Sequence, residues 1–261
     1  MPFSRPVSAY MTSELDMVGT AATLDEVALL LERRRISAVP LVGPDGAITG
    51  VVSRSDLLRA GRIQAGRGRG VAALVLPDRP AASLVTRAPV VCEEDTPLRE
   101  AARVMVAEAV HRVFVVRGRR PIGVLSTFDL TTAVRDLRIA VPLGEIMSAP
   151  VTTIDVGAPI SAAAALLVDT GVTSIVAVDW DWPIGMLGQS EVLASRDLPP
   201  ETRVDDVMDP AVVCLPARTA VHHAAALATG LGVRRVLASS EREMVGIVGG
   251  LDFARLVARL A

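Results

Sequence analysis

The sequence predicts an α/β fold built from four copies of one β-α-β-β-α unit, and three observations lead to this prediction. First, a seven-residue segment that starts with glycine and ends with an acidic residue occurs at residues 50–56, 123–129, 185–191 and 246–252. Second, each copy follows an apolar pattern with the period of a helix. Third, a short β-type run lies between that pattern and the glycine. Four copies in one order indicate an internal repeat, and we call the segment the glycine–acid motif.

The first helix of each unit is indicated by apolar residues spaced at i, i+3, i+4 and i+7, which share one helical face. These residues are Leu24, Val27, Ala28 and Leu31; Leu98, Ala101, Ala102 and Met105; Ile160, Ala163, Ala164 and Leu167; and Val221, Ala224, Ala225 and Ala228. The helix starts are encoded locally, since Thr23 and Glu26 form a capping-box pattern and Thr219 can cap the fourth helix. Pro97 and Pro159 suit a first helical position, where an N–H is not needed.

Two strands and a second helix follow in every unit. The β-type runs occupy residues 38–42, 112–116, 174–178 and 234–238. Polar or glycine-containing turns come next, and the apolar half of the glycine–acid motif continues the chain as a second strand. The acidic residue then begins the last helix. Because one three-stranded sheet cannot cover both of its apolar faces, we expect the units to pair.

We therefore predict two domains, each a pair of repeats. Residues 1–138 hold repeat 1 (about 6–60) and repeat 2 (about 80–137), and residues 139–261 hold repeat 3 (about 142–196) and repeat 4 (about 203–260). A Gly/Arg-rich linker without an apolar period, residues 59–70, joins repeats 1 and 2. The linker is either a flexible surface connection or an arm that becomes ordered on contact with phosphate or a partner.

Composition argues against several classes of partner. The chain has 27 basic residues, all arginine, and 29 acidic residues, so its net charge of −2 gives no general attraction to nucleic acid or anionic lipid. No apolar run approaches the ~18 residues of a membrane span. Cys92 and Cys214 stand alone, which disfavours a disulfide framework or a zinc site and suits a reducing compartment. We therefore predict a cytoplasmic protein.

The sequence offers no catalytic constellation. It contains neither a GxSxG elbow nor a GxxxxGK[ST] loop, and we predict no enzyme activity, no catalytic cofactor and no metal site. His222 and His223 open the first helix of repeat 4 and are interpreted as solvated. Trp180 and Trp182 flank Asp181 in a turn, where they either anchor a protein interface or fold back onto their own repeat.

Short segments near the start of each repeat complete a resemblance to a known family. They are Tyr10-Met11-Thr12, Leu84-Val85-Thr86, Ile146-Met147-Ser148 and Val207-Met208-Asp209. Together with the strand Pro40-Leu41-Val42 and the Gly-x-x-Ser-x-x-Asp form of the glycine–acid motif, they resemble the CBS domains over almost all of residues 6–260. The resemblance implies two tandem pairs, called Bateman modules, with facing sheets and two clefts per pair where adenosyl ligands often bind. Repeat 2 also resembles a nucleotide-sensing repeat of the AMP-activated protein kinase gamma subunit.

The resemblance implies chemical roles for the glycine–acid motif. Asp56 and Asp129 would accept hydrogen bonds from ribose hydroxyls, whereas Ser53 and Ser126 would face phosphate. Helix capping is the alternative explanation, because Asp or Ser at a helix start stabilises the helix by roughly 1 kcal/mol without any ligand.

The motif is altered in the second half of the chain. Gly188 and Gly249 replace the two serines, and Glu191 is one methylene longer than aspartate. We therefore predict that the first pair of repeats binds a ligand and that the second pair is degenerate, with Asp252 as a weaker candidate.

A His-Arg pair strengthens the prediction for the first pair. In the resembling kinase subunit the pair that corresponds to His111 and Arg112 faces phosphate, although a half-exposed surface pair is the alternative. Arg234 and Arg235 occupy the equivalent place in repeat 4 and are weaker candidates. In repeat 1 the equivalent residues are predicted to be Ile36 and Ser37, so the two clefts of the first pair should differ. Adenine is expected against residues that fit a core equally well, namely Val18, Val39, Val113 and Val124.

The predicted function is that of a stand-alone regulatory protein. It would bind an adenosyl small molecule, with AMP, ADP, ATP and S-adenosylmethionine as candidates, and would change conformation or assembly in response. Its output would pass to a protein effector in trans or through self-association, either as a homodimer or by intrachain packing of the two pairs. The alternative is a structural adaptor whose clefts are vestigial.

Overall fold

The computed structural model describes residues 2–65, 72–195 and 198–260. The helices are α1 (Leu24–Arg33), α2 (Arg54–Ala60), α3 (Leu98–Ala107), α4 (Thr127–Asp136), α5 (Ile160–Thr170), α6 (Gln189–Ala194), α7 (Val221–Leu231) and α8 (Gly250–Arg259). The strands are β1 (Val18–Gly19), β2 (Ala38–Val42), β3 (Ile48–Ser53), β4 (Arg62–Ala65), β5 (Ala72–Val75), β6 (Val91–Glu93), β7 (Arg112–Arg117), β8 (Arg120–Ser126), β9 (Thr153–Asp155), β10 (Ser174–Asp179), β11 (Trp182–Gly188), β12 (Cys214–Pro216), β13 (Val236–Ser240) and β14 (Glu243–Val248).

Each repeat has the predicted order of strand, helix, strand, strand and helix. Its short first strand lies parallel to the second, and the second and third form an antiparallel hairpin, which gives the sheets β1-β2-β3, β6-β7-β8, β9-β10-β11 and β12-β13-β14. The predicted fold class, a mixed α/β protein of four repeats, is confirmed.

The helix starts follow the predicted signals in part. Pro97 and Pro159 lie at the N-caps of α3 and α5, one residue before the predicted first helical position. The Thr23 side chain accepts from the Glu26 N–H at 3.2 Å, and the Glu26 carboxylate accepts from the Thr23 N–H at 2.8 Å, which completes the capping box. The prediction for Thr219 is wrong, because α7 is preceded by Ala220 and has no side-chain cap. Its first N–H groups instead donate to carbonyls of the segment that follows α4, at Val141 and Ile139.

The first glycine of the motif is needed because the chain segment from the partner repeat crosses it. A methyl group added at Gly123 would lie 2.6 Å from the Met11 sulfur. The same close approach recurs between Gly50 and Val85, between Gly185 and Met208 and between Gly246 and Met147. Each repeat thus receives a side chain from the segment that leads into the other member of its pair. This exchange links repeat 1 with repeat 2 and repeat 3 with repeat 4.

Helices join the two pairs. In repeats 2 and 4, α4 packs against α7 and α8, and α3 packs against α8, around a core that includes Leu130 and Phe253. In repeats 1 and 3, α2 contacts α6, but these helices are only seven and six residues long, against ten for α4 and α8. Repeat 2 therefore lies beside repeat 4, and repeat 1 beside repeat 3, with the larger contact on the even-numbered side.

The segment after repeat 1 differs from its prediction. Arg59 and Ala60 end α2, and β4 and β5 form an antiparallel hairpin, so the segment predicted as a flexible connection or an arm contains β4. The rest of that linker, 66–70, lies outside the described residues. Within the described ranges, no helix is both long and apolar enough to cross a bilayer.

Candidate functional site

The serine and aspartate of the glycine–acid motif bond to each other in repeats 1 and 2. In repeat 1, the Ser53 N–H and hydroxyl donate to Asp56 Oδ2 at 2.8 and 2.6 Å. In repeat 2, the Ser126 N–H and hydroxyl donate to Asp129 Oδ2, both at 2.7 Å. One carboxylate oxygen therefore caps each helix. In repeat 1 the other oxygen, Asp56 Oδ1, lies 3.4 Å from the Arg59 guanidinium on the same helix.

Repeats 3 and 4 keep the cap without the hydroxyl. The Gly188 N–H donates to Glu191 Oε2 and the Gly249 N–H to Asp252 Oδ2, both at 2.7 Å. Asp252 is buried, and its Oδ1 also accepts from Ser148 at 2.7 Å and from Arg255 at 2.6 Å. Both oxygens of Asp252 therefore already accept hydrogen bonds within the protein.

The strand register fixes which residues are equivalent among the repeats. Arg112 lies opposite Ser126, whereas Ala38 lies opposite Ser53. Ser37 therefore corresponds to His111, and the predicted equivalence was wrong by one residue. Ser37 still takes part in the site, because its hydroxyl accepts a hydrogen bond from the Arg112 guanidinium.

The second pair repeats this contact. The Arg235 guanidinium donates to the Thr173 hydroxyl, as Arg112 does to Ser37. In both pairs an arginine from the even-numbered repeat thus reaches across to the start of a central strand in the odd-numbered repeat. The proposed equivalence of Arg234 and Arg235 with His111 and Arg112 agrees with the register, since Val236 lies opposite Val248 as Val113 lies opposite Leu125.

Four guanidinium groups and one imidazole come together between the two pairs. We call this set the arginine cluster: Arg54, His111, Arg112, Arg234 and Arg235. Burial and repulsion by Arg234 lower the pKa of Arg112 and of Arg235 to about 10, and the same two causes lower that of Arg54. A guanidinium is normally charged at any accessible pH, so these shifts indicate a strongly cationic environment.

His111 responds to the same environment. Burial lowers its pKa to about 4, and Arg235, Arg112 and Arg234 add to the shift in that order. At neutral pH its ring is therefore uncharged and can both donate and accept a hydrogen bond.

Two carboxylates lie close enough to act on the cluster. Asp129 opposes the shift at Arg112, and Glu191 opposes those at Arg54 and Arg235. Burial raises the pKa of Asp129, while the hydrogen bonds from Ser126 and the charge of Arg234 act against that rise. With two carboxylates beside four guanidinium groups, the site keeps an excess of positive charge that an anion would balance.

Arg54 is the residue that sequence reasoning missed. It occupies the first of the two variable positions of the glycine–acid motif, and its guanidinium donates to Ser190 of repeat 3. Ser55 likewise donates to Gln189 at 2.9 Å, and Arg234 of repeat 4 lies 5.9 Å from the ring centre of Phe128. The variable positions therefore make contacts between pairs. Their difference in sequence from copy to copy was the feature that could have identified Arg54.

The expected adenine surface is only partly accessible. Val39 and Val113 are fully buried in the hydrophobic cores, where neither presents a surface to a ligand. Val18 and Val124 are half-buried. The correction has a simple cause: side chains alternate across a strand, and Val39 and Val113 fall on the face that packs against helices.

Comparisons with known proteins agree with the repeat structure. The sequence pattern of the CBS domain matches residues 7–62, 81–136 and 143–196. The uncharacterized protein YlbB of Bacillus subtilis (strain 168) is 25% identical over 122 residues, which cover 46% of this chain and 76% of YlbB.

Two solved structures match over nearly the whole chain. Protein MJ1225 from Methanocaldococcus jannaschii, a proposed archaeal homolog of g-AMPK, superposes with a TM-score of 0.82 at 13% identity, covering 96% of this chain and 99% of its own. An uncharacterized conserved protein from Pyrococcus horikoshii gives a TM-score of 0.67 at 19% identity, covering 97% and 99%. At these identities the likeness concerns the fold, and it extends to repeat 4.

Proposed function

Because the chain belongs to the CBS domain family, we propose that it is a regulatory protein that binds an adenine nucleotide or a related adenosyl compound in its first pair of repeats. Binding would change the conformation or the assembly state and so act on a partner protein. The resemblance of the motifs supports the ligand class, with AMP, ADP, ATP and S-adenosylmethionine as candidates.

The arginine cluster is the observation that carries this proposal. Half-buried cations that outnumber the nearby carboxylates repel one another, as the lowered pKa values of Arg112 and Arg235 indicate. Guanidinium groups bind phosphate oxygens through paired, charge-assisted hydrogen bonds. A phosphate chain in the cluster would therefore supply the charge that the protein itself lacks.

Asp129 is the better placed of the two proposed ribose ligands. It lies within electrostatic reach of Arg112 and Arg234, and its Oδ2 already serves the helix cap, which leaves Oδ1 for a hydroxyl. A nucleoside phosphate needs this proximity, because a single methylene separates the ribose ring from the first phosphate. Asp56 instead shares its second oxygen with Arg59.

The arrangement also suggests how binding is transmitted. The cluster takes Arg54 and Arg112 from the first pair and Arg234 and Arg235 from the second, so a phosphate ligand would contact both. Such a ligand favours the arrangement in which the two pairs stay together, by no more than its difference in affinity for the alternatives.

Calorimetry with AMP, ADP, ATP, S-adenosylmethionine and NAD tests the proposal. Asp129→Ala should weaken binding by about tenfold or more, because it removes charge-assisted hydrogen bonds to ribose. Glu26→Ala is the control: it removes a carboxylate that caps α1, outside the arginine cluster, and should leave the affinity nearly unchanged. Unaltered binding in a variant carrying both Asp56→Ala and Asp129→Ala would show that the ribose assignment is wrong.

A structural adaptor is the second candidate. One observation favours it: the serine and aspartate of each motif in the first pair satisfy each other, so both residues have a role without a ligand. If none of the five compounds binds the wild-type protein, the adaptor is the better description.

A further inference from the structure

The turn between β10 and β11 exposes two tryptophans in a strained conformation. Trp180 has φ 46° and Asp181 has φ 66°, both in the left-handed region that glycine and asparagine favour and that is unfavourable for a bulky residue. Trp180 is 95% exposed and Trp182 is 61% exposed. The indoles do not fold back onto their own repeat, which was one of the two expectations from the sequence. Exposed indoles are typical of a contact surface.

The chemistry of this turn restricts what it can contact. Asp179 and Asp181 alternate with the two tryptophans and are exposed, and neither pairs with a cation in the part of the chain that the structure describes. We call residues 179–182 the tryptophan turn. Its complement is a cavity with an apolar or aromatic floor and a cationic rim.

The chain carries such a cavity in repeats 2 and 4, where the end of α4 meets the start of α7. The cavity has a volume of about 440 Å³ and is lined by Arg135, Arg138, His222, His223, Ala226 and Leu227. We call it the basic cavity.

The floor of the basic cavity suits an indole ring. The His222 ring is fixed by a hydrogen bond from Nδ1 to the Ile139 carbonyl at 2.8 Å, and the His223 ring stands edge-on to it with centroids 4.1 Å apart. Leu227 adds an apolar side chain that is 42% exposed. Aromatic rings and an aliphatic side chain together provide the contacts that a tryptophan side chain prefers.

The rim supplies positive charge for the two aspartates. Arg135 pairs with Asp136 at 2.8 Å and donates to Thr229, so much of its charge is already balanced. Arg138 is exposed, and the described part of the chain gives it no ion-pair partner. A guanidinium can also stack on an indole face, so Arg138 can bind both the carboxylates and the rings of the tryptophan turn.

We propose that the chain associates with itself head to tail, with the tryptophan turn of one copy seated in the basic cavity of the next. The two surfaces lie on different repeats, so after the first contact one copy keeps a free cavity and the other keeps a free turn. The interface is therefore heterologous, and association continues until a ring closes or a filament forms.

Sedimentation velocity on the full chain, over a range of protein concentrations, tests the proposal with two variants. Trp180→Asn removes the indole, and Arg138→Asp reverses the charge of the rim. Both positions have positive φ, and Asn and Asp tolerate that region, so the folds should survive. Each variant alone should stay monomeric at concentrations where the wild type forms oligomers.

The decisive measurement is the mixture of the two variants. Trp180→Asn keeps an intact cavity and Arg138→Asp keeps an intact turn, so an equimolar mixture should form a 1:1 complex that grows no further. Glu241→Asn, in the corresponding turn of repeat 4 with φ 55°, is the control and should assemble like the wild type. A wild type that stays monomeric at its highest soluble concentration overturns the proposal, and so does a mixture that stays monomeric. Assembly by Trp180→Asn alone also overturns it.

Discussion

At the scale of single residues, the capping and ligand roles of the glycine–acid motif are compatible. Asp129 caps its helix with Oδ2 alone, although the sequence presents capping and ligand binding as rival explanations. Asp252 occupies the same position in repeat 4, but both of its oxygens accept hydrogen bonds from neighbouring residues. The copies therefore differ in the use of the second oxygen. That difference depends on Ser148 and Arg255, and neither residue belongs to the motif.

The first prediction concerns the pH dependence of stability through His111. Its pKa falls from 6.5 to about 4 in the folded protein. Between these values the unfolded chain binds the proton and the folded chain does not, so acidification lowers the free energy of unfolding. His111→Gln should remove up to about 3 kcal/mol of this loss. Urea unfolding at a series of pH values from neutral to about 4 measures the difference.

Asp129 contributes with the opposite sign, because burial raises its pKa in the folded state. Asp129 is present in both the wild type and His111→Gln, so its effect on the free energy of unfolding largely cancels when the two are compared. His223→Gln, at an exposed position, should keep the wild-type dependence. If His111→Gln and the wild type lose stability in parallel on acidification, the assigned environment of His111 is incorrect.

At the scale of elements, the starts of the last helices form the contacts between pairs. Thr127 at the start of α4 is buried and abuts Gly250 at the start of α8. Arg54 at the start of α2 meets Ser190 in α6 in the same way. The two variable positions of the motif thus decide how closely the pairs approach.

The second prediction tests this contact. Gly250→Ala would place a methyl group 2.7 Å from Thr127 Cβ, in a seam that has no room for it. The free energy of unfolding should fall by roughly 1–3 kcal/mol, although alanine is the better helix former. Gly249→Ser is the neighbouring control, because the nearest atom to its Cβ, Asp252 Oδ2, is 3.7 Å away and serine is a favourable cap. Equal urea midpoints for the two variants would contradict the tight seam.

Helices and strands could be predicted from the sequence where nearby residues alone determine them. The helix faces, the hairpins and the Thr23 capping box follow from spacing and side-chain chemistry within about ten residues. The Thr219 cap failed because α7 satisfies its first N–H groups with carbonyls of a distant segment, at Ile139 and Val141. The one-residue error at Ser37 arose because equivalence between repeats depends on the pairing of strands, and the spacing along the chain differs: Leu41 pairs with Gly50, nine positions on, whereas Val115 pairs with Gly123, eight positions on.

At the scale of the whole molecule, the arginine cluster exists because the two pairs pack together. His111 and Arg112 could be proposed from the sequence, since they stand beside the motif of their own repeat. Arg54 could not, because its partner Ser190 is in repeat 3 and nothing in either sequence segment fixes how the pairs meet. The site is thus a property of the assembled pairs, whereas each repeat alone supplies only part of its charge.

This organisation leads to a last prediction about Arg234. Its charge lowers the pKa of Arg54, His111, Arg112 and Arg235, so it opposes the packing of the two pairs in the absence of a ligand. Arg234→Gln should therefore raise the free energy of unfolding of the ligand-free protein. The gain should be about 0.5 kcal/mol at low salt, a small value because Arg234 is exposed and solvent screens it. Added salt should reduce the gain further.

The same substitution should weaken the response to a phosphate ligand. Thermal unfolding with and without ATP measures both effects: Arg234→Gln should melt higher than the wild type without ATP and gain less when ATP is added. Arg242→Gln, in an exposed turn of the same repeat, should change neither value. A ligand-free melting temperature that drops in Arg234→Gln would mean that Arg234 stabilises the protein, through Phe128 for example, and that its repulsion of the cluster is the lesser effect. The sign of that one change therefore separates a site kept cationic for a ligand from a site whose charges are already balanced.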